Sequence, residues 1–330
     1  MTWMITGGAG YIGSHVVQAM LEGGMDVVVI DDLSTGFANF VPADVPLVRS
    51  SILDRRELEQ TIAKYGVEGV IHAAGFKYAG VSVQQPLHVY AQNVTGTATL
   101  LQAMLNGNVD KLVFSSSCAT FGSPDVDEVT ETTPARPESP YGESKLIGEW
   151  LIADVARSSQ LTHTSLRYFN VVGSGHAGLY DASPHNLFPL VFDALTSGVT
   201  PTIFGVDYPT PDGTCVRDYV HVADLAHSHL IAAQKLAAGK HLEPVYNLGS
   251  GTGWSVRQVM DTIREVTAID FTPAIRPRRP GDPARIAASG ELARRDLEWV
   301  MRHDLESMVR SSWRSRLAAG SASPVGDISP

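Results

Sequence analysis

Hydrophobic and polar positions alternate in blocks through the first half of the chain. Each short apolar run is followed by a longer stretch in which apolar residues recur every three or four positions, the spacing of a one-sided helix. "WMIT" leads into "YIGSHVVQAMLEGG", "DVVVIDD" precedes "DRRELEQTIAKYG", "GVIHAAG" precedes one long segment from about Val83 to Leu105, and "KLVFSSS" closes the series. The pattern predicts strands and helices in alternation. Strands made of nearly unbroken Val and Ile are buried on both faces, so the predicted sheet is parallel with helices on each side, a doubly wound α/β fold.

Past Phe169 the pattern loosens. Pro/Gly clusters in "GVDYPTPDGT" and "RPRRPGDPA" separate shorter units, which predicts a large domain over residues 1–169 and a smaller α/β domain over 170–317. "VRDYVHVADLAHSHLIAAQKL" and "VYNLGSGTG" again carry helix and strand patterns, so residues about 216–250 are expected to return to the first domain. "AAGSASPVGDISP" has the composition of a loose end, and 318–330 are expected to form a flexible tail.

Composition narrows the partners. With 35 acidic against 25 basic residues the chain carries a formal charge of −10, which disfavours nucleic acid and an anionic membrane surface and leaves small molecules or a second subunit. The two cysteines, Cys118 and Cys215, make no CxxC pair or disulfide framework, and reduced thiols in the cytoplasm are expected. No basic leader and no apolar run of about 18 residues occurs, so a soluble, unprocessed chain is expected. None of the eleven histidines falls in an HExxH pattern; His221, His227 and His229 read as structural, and no metal is expected.

Three motifs carry chemistry. Gly7, Gly10 and Gly13 stand at the turn between the first strand and first helix, where bare backbone lets a pyrophosphate approach the free N–H groups and positive end of a helix. The second strand ends in Asp31 and Asp32, placed to accept hydrogen bonds from an adenosine ribose and to repel a 2′-phosphate, favouring NAD over NADP. The serine run Ser115 to Ser117 ends the predicted strand "KLVFSSS", and "YGESK" puts Tyr141 and Lys145 four apart, on one helical face.

In this order the three motifs resemble the extended short-chain dehydrogenase/reductase family, whose cofactor domain is a Rossmann-type sheet. The segments "RYFNVVG", "HNLFPLV", "IFGVDYPTPDGTCVRDYVHVADLA", "YNLGSGTGWSV" and "RRPGDPA" are similar to its nucleotide-sugar branch, most closely the UDP-glucose 4-epimerases, from about Thr2 to Trp299. The resemblance implies NAD as cofactor, a UDP-hexose, plain or N-acetylated, as substrate, and a homodimer. It implies Tyr141 as base, Lys145 as the group that lowers its pKa and holds the nicotinamide ribose, and Ser117 as partner of the reacting sugar oxygen. Toward the cofactor it adds Tyr11, Ile12, Ile52, Ala74, Lys77, Asn93, Ser115 and Tyr168, which also lies near the hexose. For the nucleotide sugar it adds Asn170, Asn186, Leu187, Phe204, Arg217, Arg279, Asp282 and Ile286, the last bordering the sugar's C2 substituent. Ser51, Val81 and Phe121 depart from the family's usual Asp, Glu and Tyr.

The implied reaction is oxidation at C4, turning of the 4-keto sugar and return of the hydride to its other face. A base working near pH 7 must bring a phenol down from about 10, a gap of about 3 units or roughly 4 kcal/mol. Nearby cations are sufficient in magnitude. Two alternatives remain: a 4,6-dehydratase or decarboxylase on the same fold, which would carry Thr-Asp-Glu where this chain has Ser117, Cys118 and Ala119, and a non-catalytic NAD sensor, which would lack the Tyr or Lys.

Overall fold

A computed structural model of the chain describes residues 1–279 and 283–322. The first half follows the block pattern: β1 (Thr2–Thr6), α1 (Tyr11–Glu22), β2 (Asp26–Asp31), β3 (Leu47–Arg49), α2 (Arg55–Tyr65) and β4 (Val67–His72). Asp54 caps α2 by accepting from the Glu57 N–H, and Gly66 ends it in the left-handed region, φ 59°.

The stretch from Val83 to Leu105 is not one helix. Short α3 (Ala79–Ser82) and α4 (Pro86–Tyr90) come first, then a π-helical segment Ala91–Thr95, and only then α5 (Gly96–Asn106). Pro86 sits in the first turn of α4, where its missing N–H is no loss. The wide π turn buries the Asn93 side chain against the loop after β4, an interaction between distant segments that periodicity does not register. Next come β5 (Lys111–Ser117), α6 (Pro140–Ser158) and β6 (Thr162–Tyr168).

The second half holds β7 (Asn170–Val172), α7 (Leu187–Thr196), β8 (Thr202–Phe204), β9 (Val216–Arg217), β10 (Tyr219–His221), α8 (Val222–Ala237) and β11 (Val245–Leu248). It closes with β12 (Trp254–Ser255), α9 (Val256–Thr267), β13 (Ala274–Arg276), β14 (Arg285–Ile286), α10 (Glu291–Leu297) and α11 (Leu305–Ala322). The main sheet has the order β11-β6-β5-β4-β1-β2-β3 and every pairing in it is parallel. Its strands are the near-continuous apolar runs, and Trp3, Met4, Ile5, Val28, Val70 and Val113 are fully buried.

One core cluster lies under α1 and α8, joining Val16, Val17 and Met20 to Leu225, Ala232 and Tyr246, while a second fills the other face under α2 and α5. Thus β11 and α8 belong to the main sheet. By contrast β9 and β10 lie in small sheets, β12-β9-β14 and β10-β7, beside a pair of β13 with β8. A third cluster packs α7, α9 and α11 together through Phe188, Phe192, Val259, Ile263 and Val309. Of the expected tail, 318–322 continue α11 and 323–330 lie outside the described residues.

Candidate active site

Strand order reverses between β1 and β4, so the connections diverge there and leave a crevice beyond the carboxyl ends of the strands. The glycine turn lines it. Gly7 has φ +72°, and a Cβ on it would lie 2.7 Å from the Ala74 nitrogen; a Cβ on Gly13 would lie 2.1 Å from the Gly7 carbonyl oxygen. Only glycine permits that approach. Gly10 caps α1 with no side-chain hydrogen bond, so the first-turn N–H groups and the positive helix end face the crevice, a fit for a dinucleotide pyrophosphate. Ile12 packs half-buried against the core below, and the Tyr11 hydroxyl donates to the Gly173 carbonyl at 2.6 Å, tying α1 to the loop after β7.

Asp31 sits at the end of β2 with its Oδ2 accepting from the Ala9 N–H at 2.9 Å and its Oδ1 from Leu33 at 2.8 Å. Burial raises its pKa and those two N–H donors oppose the rise. It therefore braces the glycine turn at the end of β2. Asp32 is exposed and accepts from Ser34.

A buried chain of hydrogen bonds fixes the other wall. The Ala74 N–H donates to Thr6 Oγ1 at 3.2 Å, and the Thr97 hydroxyl donates to the Asn93 carbonyl at 2.6 Å. His72 bridges the two threonines, Nδ1 to Thr6 at 2.7 Å and Nε2 to Thr97 at 3.0 Å. With the Thr97 proton committed, Nε2 must donate and Nδ1 accept, which selects one neutral tautomer. Burial, then the charge of Lys145, lowers the His72 pKa to about 3. This spine holds Ala74 and Asn93 in place. Asn93 accepts from the Phe76 N–H at 2.7 Å and donates to Ser144 at 2.8 Å, while Ile52 packs where a Cβ on Gly96 would stand 2.5 Å from its Cδ1.

The three groups of the second and third motifs meet where β5 ends and α6 begins. Ser139 caps α6 through the Gly142 N–H, which sets Tyr141 in the first turn and Lys145 one turn on. Burial pushes Tyr141 up to about 12, against a hydrogen bond with Ser117 that lowers it. Lys145 is buried, donates from Nζ to the Ser115 carbonyl at 2.9 Å and lies 5.0 Å over the Phe114 ring. Burial lowers its pKa to about 8, with Glu149 pulling the other way. Tyr168, at the end of β6, is raised by burial and by Tyr141, and a hydrogen bond with Ser115 opposes the rise. The Ser115 hydroxyl also meets His229 Nε2 at 3.0 Å.

The sugar-side candidates are spread over the smaller layers. Asn170 is exposed at the start of β7; Asn186 and Leu187 open α7, with Asn186 at the N-cap. The Arg279 guanidinium lies 4.1 Å from the centre of the Phe204 ring. Arg217 on β9 donates to the Pro283 carbonyl at 2.7 Å. Ile286 on β14 is 8% exposed and packs with Phe121, Val129, Phe169 and Ala288, with Cys118 against the same cluster. It is a core member of the cluster against which Cys118, the residue after Ser117, packs. Asp282 lies outside the described residues. Lys77 stands 3.9 Å from Asp181.

Four supporting residues escape sequence reasoning. Glu149 takes a fork from Arg167, Nε to Oε1 at 2.8 Å and Nη2 to Oε2 at 2.5 Å, and also accepts from Ser116 at 2.5 Å. This buried pair locks the ends of β5 and β6 to α6 directly behind Lys145. Asp218, fully buried, accepts from the Ser250 and Ala288 N–H groups, while its own backbone bonds Asn170 and Ile286. It ties three sugar-side segments together. Asp181 is the fourth. The one available signal was spacing: Glu149 falls four residues after Lys145, on the same helical face.

Comparison with known proteins agrees with this geometry. Residues 3–249 match the NAD dependent epimerase/dehydratase family. The UDP-glucose 4-epimerase of Corynebacterium glutamicum is 43% identical over 326 residues, covering 98% of each chain. A crystal structure of a UDP-glucose 4-epimerase superimposes with TM-score 0.94 at 36% identity, over 98% of this chain and 100% of that one. The enzyme from Stenotrophomonas maltophila, solved with NAD and formylated UDP-arabinopyranose, gives 0.93 at 36% identity over the same shares. A seven-stranded parallel sheet, a glycine turn at its switch point and a Ser-Tyr-Lys group at the neighbouring strand ends, in a chain matched across residues 3–249, place this protein in the NAD dependent epimerase/dehydratase family.

Proposed function

We propose that the protein catalyses NAD-dependent epimerisation at C4 of a UDP-hexose, interconverting UDP-glucose and UDP-galactose. One observation carries the reading: Tyr141 stands in the first turn of α6 where Ser117, at the end of β5, acts to lower its pKa, a buried Lys145 follows one helical turn on, and the neighbouring positions hold Cys118 and Ala119. Elimination of water would need an acid and a base there. Burial pushes the Cys118 thiol up to about 12, so it is a neutral thiol at pH 7 and supplies no base.

In this reading the turn Gly7, Gly10, Tyr11, Ile12 and Gly13 holds the pyrophosphate, and Asp31 and Asp32 the adenosine ribose. Ile52, Ala74, Lys77, Asn93, Ser115 and Tyr168 line the rest of the cofactor site. Bound there, NAD would supply the hydride acceptor and donor for C4 and, in its oxidised form, a positive charge near Tyr141. Tyr141 takes the proton of the 4-hydroxyl and gives it back, and Ser117 holds the reacting oxygen. From about 12 to pH 7 the phenol must fall about 5 units, roughly 7 kcal/mol. A cation 4–6 Å away would contribute about 3–4 kcal/mol at an effective dielectric near 20, so two are required, and the candidates are Lys145, one helical turn after Tyr141, and the charge of the oxidised cofactor.

Residues 1–169, with α8 and β11, form the cofactor part, and the elements of the small sheets with α7, α9 and α11 the sugar part. Asn170, Asn186, Leu187, Phe204, Arg217, Arg279 and Ile286 hold the nucleotide sugar there, and Asp282, outside the described residues, is assigned to it by resemblance alone. The assembly we infer is a homodimer, on the exposed Leu87 (83%) and Trp150 (58%) of the adjoining α4 and α6. Cys118 and Cys215, which are not joined in a disulfide, suit a reducing compartment, the cytoplasm.

The test is to incubate the purified protein with UDP-galactose and no added cofactor and to follow the products by proton NMR. Formation of UDP-glucose is expected; a 4-keto-6-deoxy product, or no conversion, would refute the reading.

A further inference from the structure

The loops on the two sides of the crevice meet at an acidic residue that the reading above assigns to neither ligand. Asp181, in the loop between β7 and α7, has its side chain 11% exposed and its Oδ1 3.9 Å from Nζ of Lys77, in the loop after β4. The same oxygen accepts from the Ser183 N–H at 3.0 Å, and Oδ2 accepts from Nδ2 of Asn186 at 2.6 Å. A second contact joins these loops: the rings of Tyr78 and His185 meet edge-on at 4.6 Å. The Asp181 charge also acts on Tyr11 at the start of α1. One carboxylate therefore holds a side chain assigned to the cofactor and a side chain assigned to the nucleotide sugar.

We propose that Asp181 is a positioning residue that couples the two sites, so that the nucleotide half of the substrate tightens the grip on NAD and NAD tightens the grip on the nucleotide. The inference rests on the reading of Lys77 as a cofactor residue and Asn186 as a sugar-side residue. Its physical basis is shared ordering. A ligand that fixes Asn186 fixes Asp181, and through it Lys77, so the second ligand meets a side chain already restrained. Such a coupling is reciprocal, since each ligand changes the other's affinity by the same factor.

The experiment measures the rate at which purified holoprotein loses NAD on dilution, with and without saturating UDP, alongside UDP affinity by calorimetry and the melting temperature. In the wild type, UDP slows NAD loss about tenfold, within the usual range of such couplings. In Asp181→Asn, which keeps the shape and removes the charge facing Lys77, protection falls below about twofold. Lys77→Met, at a half-exposed position, deletes the other half of the contact and loses protection equally, and the double variant loses no more than either single one. A folded Asp181→Asn or Lys77→Met with tenfold protection intact overturns the proposal. So does a wild type that carries NAD and binds UDP without protection. A wild type that carries no NAD or binds no UDP overturns the functional reading and this inference with it.

Discussion

Tyr141→Phe removes one oxygen from a partly buried ring and changes little else. What the fold loses is the hydrogen bond with Ser117, a net of about 0.5–1.5 kcal/mol, which in a chain of this size moves the melting temperature by no more than about 2–4 °C. The chemistry loses much more. Burial pushes the phenol up to about 12, and with its oxygen gone no base is positioned at the reacting hydroxyl, so the contribution of a positioned base, about 10²–10⁴ in rate, is forfeited. Nucleotide binding is expected to stay intact because the residues proposed to hold the nucleotide sugar stand on other elements. Conversion of UDP-galactose to UDP-glucose would be followed by a coupled assay, with UDP affinity and melting temperature measured on the same sample. Turnover within tenfold of wild type, with the fold intact, removes Tyr141 from the mechanism.

Three further outcomes are expected. Asp31→Ala removes both the brace on the Ala9 N–H and the charge that opposes a 2′-phosphate; bound NAD should drop and the preference for NAD over NADP should narrow, and equal wild-type affinities for the two would show that Asp31 does not face the ribose. Ile286→Tyr should depress epimerisation of UDP-N-acetylglucosamine far more than of UDP-glucose, because the clash exists only with the larger C2 group. Equal losses accompanied by a lower melting temperature would make Ile286 purely a member of its apolar cluster. The folded Lys145 has its pKa lowered by burial to about 8 from an ordinary 10.5, so its charge is lost as pH rises through about 8 and kcat should fall on that limb. The folded chain binds fewer protons than the unfolded one between those two values, so the stability cost of burying this lysine is present below about 8 and fades toward 10.5; kcat flat to about pH 9.5 would separate Lys145 from the chemistry.

The main sheet, the glycine turn, Asp31 and the Tyr141–Lys145 pair were legible because each is local. Val/Ile runs mark doubly buried strands, three glycines permit one tight turn, and residues four apart share a helical face wherever the helix lies. Even the return of α8 and β11 to the first sheet carried a periodic signal. What the sequence could not determine are contacts between residues far apart in the chain. The π turn at Ala91–Thr95 exists because Asn93 bonds Phe76 and Ser144, and the tautomer of His72 follows from threonines 66 residues before it and 25 after. The fork of Arg167 on Glu149 and the hub at Asp218 read in sequence as ordinary charged residues; only burial, which removes the competing water, turns them into fixed parts of the site. Asp181 is the extreme case: its neighbours in sequence say nothing of Lys77, 104 positions away, and only the doubly wound topology, by aiming every strand end at one crevice, brings the two loops together.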